Sequence, residues 1–159
     1  MKTIFAAILM VLASLSTTAY ATGTGTSVSD VALQLVEKYR FGENLRGMSY
    51  EVSARTETYG MIVAKVGEQK AKQRVHQEID KLIPEYQPQW NRNLAQAYAH
   101  YMSVEKLQSI VDEGQRSQYS DEFRAKQNDI GALMQSKSTG LLNDLLTKAM
   151  TTALQSVAQ

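Results

Sequence analysis

Trp90, Leu94, Ala97 and Tyr101 stand at offsets of 0, 4, 7 and 11 along the chain. An α-helix brings four such positions onto one face, whereas a strand would scatter them over two. Other helical intervals join Val31, Leu35, Val36 and Tyr39, and again Leu45, Met48, Val52, Tyr59, Ile62 and Val66. They continue in Ala71, Val75, Ile79, Leu82 and Ile83, and in Val104, Leu107, Ile110 and Val111. Nowhere does an alternating pattern of strand type run long enough to compete. The chain is therefore expected to be all-α, a single-domain bundle of about five to seven helices over residues 29–159.

Local signals set the expected helix ends. Ser27 and Asp30 have the capping-box spacing, which predicts a first helix from about 29 to 40. The next stripe begins near Glu43 and weakens at Arg55 and Thr56, and Gly60 and Gly67 blur its end. Pro84 predicts a break near Ile83, because proline disfavours the helical conformation in the residue before it. Pro88 then fits the first turn of a new helix, where its missing N–H costs nothing. In that helix Tyr98 and Met102 widen the apolar stripe, while Asn93, Gln96 and His100 fall on the opposite face. Ser103 reads as the N-cap of a further helix that Gly114 stops. A long last segment runs from Phe123 to Val157, with SKSTG at 136–140 a candidate break.

Lys2, the apolar run from Ile4 to Leu15 and the small residues Ala19 and Ala21 read as an export signal, 1–21, cleaved after Ala21. The run is only twelve residues, about 18 Å of helix, against a hydrocarbon core of roughly 30 Å, so it is too short to be a membrane span. Residues 22–28 read as a small, polar, flexible leader. Removing the first 21 of 159 residues leaves 138, enough for one domain with its own core. The absence of cysteine excludes disulfides, thiolate metal sites, a cysteine nucleophile and lipidation at an N-terminal cysteine. These features predict a periplasmic protein, with secretion from the cell as the alternative.

With Lys2 gone, the 17 Lys and Arg become 16, equal to the 16 Asp and Glu. A neutral chain has no field to attract nucleic acid or an anionic membrane. The densest basic stretch, KVGEQKAKQR at 65–74, already contains Glu68 and reads as a solvated helix face.

The second half carries a resemblance. An aromatic helix with Trp90 and Tyr98 precedes the Ser-capped SVEKLQSIV at 103–111, then Ser117 in a turn, then FRAKQNDIGALMQ at 123–135. In this order the chain resembles the exported bacterial all-helical family known as domain of unknown function 2059, over roughly residues 86–150. It departs from the family where Phe-Tyr usually precedes the turn and Pro-x-Gly lies within it. Here Gly114-Gln115 and SQYSD stand instead. The resemblance implies an exported helical fold and no particular reaction.

Catalytic constellations are few. His76 and Asp80 stand one helical turn apart, a spacing able to bind a divalent metal weakly or to orient a general base. A surface pair beside the Val75/Ile79/Leu82 stripe explains them more simply. His100 reads as an exposed helix residue. No Gly-x-Ser-x-Gly occurs, Ser49 lies mid-helix, and no Glu-x-x-His pair is present. No catalytic residue, metal ligand or cofactor is assigned, and an enzyme is not expected.

Tyr and Met side chains suggest a pocket instead. Large aromatics and adaptable methionines together can line an apolar site between helices. Tyr59, Tyr86, Trp90, Leu94 and Tyr101 are the candidate ligand-binding residues, with Met48 and Val52 beside them. The same residues also suit an ordinary core. The expected function is therefore an exported, non-enzymatic binding module whose target is an envelope protein or an apolar small molecule. A structural alternative uses the wide apolar stripe from Leu141 to Val157 as a homo-oligomer face. A third, weaker alternative is a metal-dependent hydrolase around His76.

Overall fold

A computed structural model describes residues 27–158, an all-α bundle of seven α-helices with no strand among those residues. The export signal and most of the leader fall outside the described residues. The leader's last two residues belong to the first helix, because Ser27 caps it and Val28 begins it.

Helix α1, Val28–Lys38, opens with the full capping box: the Ser27 hydroxyl accepts from the Asp30 N–H, and the Asp30 carboxylate accepts from the Ser27 N–H. A 3₁₀ turn at Phe41–Glu43 leads to α2, Asn44–Ser53. The expected single helix from Glu43 to Val66 is in fact two. It divides at the weak centre of its apolar stripe, where the Thr56 hydroxyl caps α3, Glu57–Val66. Gly67, at φ 81° and ψ 158°, ends α3 and starts α4 in a conformation that only glycine adopts without strain.

Helix α4 runs unbroken from Glu68 to Tyr101 with both prolines inside it, so the break expected near Ile83 does not occur. Pro84 and Pro88 both face solvent, and between and beside them Ile83, Tyr86 and Trp90 are buried. Burial of that stripe outweighs the two hydrogen bonds the prolines cannot donate, and the freed carbonyls lie near water. His76 and His100 thus share one helix, about 36 Å apart at 1.5 Å per residue, and do not meet.

Helix α5, Val104–Glu113, begins at the Ser103 cap and ends at Gly114. Lys38 Nζ and the Tyr39 hydroxyl donate to the carbonyls of Val111 and Ile110 at its C-terminal end, tying it to α1. Helix α6, Ser120–Ala125, precedes α7, Gln127–Ser156, which passes through 136–140 without a break.

Helix α4 is the spine: α1, α2, α3 and α7 all pack on it. It pairs with α7 in antiparallel fashion, since Asn93 reaches Ser138 while Tyr86 reaches Asp144. Asn93 therefore faces α7 and is buried, not on an outer face as the stripe suggested. Its amide donates to Ser138 Oγ at 3.0 Å and accepts from Gln89 at 2.8 Å, which satisfies the buried polar group. The stripe at 141–157 is largely covered within the chain: Leu145, Leu146, Ala149, Met150 and Ala153 are buried, while Leu141, Leu142, Leu154 and Val157 are half-buried against the core.

Candidate functional site

Helices α2, α4 and α7 do not close completely on one another. Between them lies a cleft of about 710 Å³, within the roughly 300–1,000 Å³ typical of small-molecule sites. Helix α2 contributes Asn44, Met48 and Val52, and α4 contributes Trp90, Leu94 and Tyr98. From α7 come Ile130, Gly131, Met134, Ser138 and Leu142, with Gln127, Gln135, Thr139 and Asn143 along the rim.

One end of the cleft is aromatic. Tyr98 and Phe123 stack with centroids 5.2 Å apart, and Phe41 lies 6.0 Å from Tyr98 and 6.2 Å from Phe123. Burial pushes the Tyr98 phenol up to about 12, against the opposing hydrogen bond to Gln127. Trp90 forms the floor. Its indole N–H donates to Asn44 Oδ1 at 3.0 Å, so a buried ring is fixed in orientation by the first residue of α2. Near Gly131 the cleft is open, and a methyl group added there would meet no heavy atom within 4 Å.

A second cleft, about 620 Å³, lies between the C-terminal half of α7 and the junction of α2 with α3. Val52 and Asn143 line both clefts, so the two adjoin along α7. Thr56, Thr58, Leu146 and Met150 extend it, and Leu154 and Gln155 lie at its far end.

The expected ligand residues are divided by the fold. Trp90, Leu94, Met48 and Val52 share the first cleft. Tyr59, Tyr86 and Tyr101 line neither cleft. Tyr86 turns to α7, where its hydroxyl donates to Asp144 and accepts from Lys148 Nζ at 2.7 Å. Burial, then the Asp144 hydrogen bond, raises the Tyr86 pKa, and the Tyr86 and Asp144 hydrogen bonds raise that of Lys148. Tyr101 meets His100 edge-to-face at 4.7 Å. Tyr59 is half-buried on α3.

The α7 side of the cleft was not anticipated, yet it leaves a mark in the sequence. Ile130, Met134, Ser138, Leu142, Leu146, Met150 and Leu154 recur every four residues, and so do Gln127, Gly131, Gln135, Thr139, Asn143, Thr147, Thr151 and Gln155. Each four-residue step advances about 40° round a helix of 3.6 residues per turn. The two rows therefore wind round α7, facing α4 and α6 first and the α2–α3 junction later.

His76 and Asp80 belong to a different cluster. Tyr50 stacks on His76, its hydroxyl donates to Asp80 Oδ1 at 2.6 Å, and Arg46 Nε lies 3.0 Å from the same oxygen. Among the described residues no group of three or more His, Asp or Glu is placed to hold a metal ion. No helix among them is long and apolar enough to cross a membrane. No family model, curated protein or solved structure matches the chain.

Proposed function

We propose that this protein is an exported helical module that acts by binding, taking an apolar small molecule of the cell envelope into the cleft between α2, α4 and α7. The observation that carries this reading is the cleft itself: about 710 Å³, floored by Trp90, Leu94, Ile130 and Met134 and walled by Met48 and Val52. Methionine side chains adapt to the shape of an apolar guest. The floor residues keep only a little apolar surface open to water, and Met48 and Val52 keep more; covering what remains gains about 25 cal/mol per Å². Catalysis is not part of the reading, because no nucleophile with an adjacent base lines either cleft.

The export signal read at residues 1–21 and the resemblance to domain of unknown function 2059 support an envelope location. The periplasm is the proposed compartment, and secretion is the alternative.

Native mass spectrometry of protein purified without refolding or detergent tests the function. The expected result is a bound small mass that organic solvent removes. The sole tryptophan lies in the cleft, so refilling the stripped protein should shift Trp90 fluorescence. A bare protein whose Trp90 emission responds to no long-chain probe would overturn the reading.

A further inference from the structure

We infer that the ligand is an uncharged, single-chain amphiphile, lying with its hydrocarbon in the first cleft and continuing past Val52 and Asn143 into the second. The inference rests on the binding function proposed above and adds the chemical class of ligand. Its basis is the composition of the walls. None of the residues lining either cleft is Asp, Glu, Lys, Arg or His, although one residue in five of the whole chain is charged, 21%.

The polar rim is exposed, so a carboxylate or phosphate seated along it would keep part of its water, lose the part facing the apolar wall, and gain no counter-charge in return. Even partial loss of water around a charge is costly where no opposite charge pairs with it. A neutral ester, amide or alcohol meets no such barrier, and the rim offers it partners. The side chains of Gln135, Asn143, Thr147, Thr151 and Gln155 form no hydrogen bond within the described residues. They stand beside the row of Met134, Ser138, Leu142, Leu146 and Met150, apolar but for Ser138, at the same four-residue step. Each step rises about 6 Å along α7, so an extended guest has apolar wall on one edge and amides or hydroxyls on the other for the length of both clefts.

That pairing favours a chain over a docked helix. A helix bonds its own backbone groups internally and would leave the uncharged row to side chains alone. A single hydrocarbon chain can follow the apolar floor and place its polar end anywhere along the row.

The test uses protein expressed from its full coding sequence and purified without detergent, with Trp90 as reporter. Two probes carry the same mid-chain-brominated stearoyl group, whose bromines quench tryptophan on contact. One is the neutral monoacylglycerol and the other the free fatty acid, at a pH where the acid is ionised and both are below their aggregation thresholds. The neutral ester is expected to quench Trp90 at a concentration at least about tenfold lower than the acid. Asn143→Lys, an exposed substitution at the junction of the clefts, should weaken the ester and strengthen the acid. Gly131→Leu, directed into open space, should weaken both. Equal or stronger quenching by the acid in the unaltered protein would overturn the uncharged class while leaving a binding module. Quenching by neither probe, together with failure to bind any long-chain compound, would remove the function itself.

Discussion

Tyr50 lies flat against His76, with ring centroids 3.6 Å apart and planes only 4° from parallel. The stack joins α2 to α4 on the side where Arg46 and Asp80 also meet. Covering the imidazole disfavours its charged form. Its pKa is lowered from the usual 6.5 by burial first and by Lys72 second, against the attraction of Asp80. The unfolded chain therefore takes up a proton before the folded one does, and stability falls as pH drops through about 6.5, levelling off below the folded-state pKa. Proton NMR titration should place the His76 midpoint below 6.5. Thermal unfolding of His76→Phe, which keeps a ring under Tyr50, should lose part of this acid sensitivity; an unchanged acid slope would count against the assignment.

At alkaline pH the tyrosines act with the opposite sign. Burial, then the hydrogen bond to Asp80, pushes Tyr50 up to about 12, and burial does the same for Tyr98. In the unfolded chain both ionise near 10, so the stability they carry is complete below about pH 10 and declines as pH rises towards 12. Urea midpoints measured across that range should fall less steeply in Tyr98→Phe than in the unaltered protein.

Three glycines separate backbone requirement from mere smallness. Gly67 and Gly114 both have positive φ, at 81° and 61°, and a side chain at Gly114 would also approach the Tyr39 hydroxyl at 3.0 Å. Alanine at either position is expected to cost about 1–3 kcal/mol. Gly131 lies in α7 with open space around it, and Gly131→Ala should stabilise by about 0.5–1 kcal/mol through the better helix propensity of alanine. Denaturant unfolding of the three variants reads out the contrast directly.

Pro84 faces solvent within a continuous helix, so its removal opens no core cavity. Pro84→Ala restores an N–H able to bond the carbonyl of Asp80 and should raise stability, with about 3 kcal/mol as the upper bound set by helix propensity. A fall in the unfolding midpoint would mean that the proline shapes α4 for its packing against α2 and α7.

What local chemistry controls was legible from the chain. The Ser27 and Ser103 caps, the stop at Gly114, and the stripes through Val31, Val75 and Leu107 depend on residues within a turn or two of each other, and the helices follow them. Where packing competes with local preference, the reading diverged. Pro84 signalled an end, but burial of Ile83, Tyr86 and Trp90 on the other side of α4 outweighed it. Asn93 read as an outward residue until Ser138, forty-five positions on, supplied its partner.

The cleft divides along the same line. Trp90 and Leu94 carried a visible signal, a large apolar stripe, but Tyr86 and Tyr101 belong to the same helix and line neither cleft. Spacing assigns a residue to a face; it does not say which neighbour covers that face or where two neighbours leave a gap. The four-residue rows of α7 were written in the sequence as well, yet their role depends on α2 and α4 standing opposite. The all-helical class, the caps and the apolar faces are carried by the chain alone, because hydrogen bonds and periodicity within a few residues set them. Which faces close into core and which stay open is a matter of packing, because it depends on the distances between helices far apart in the chain.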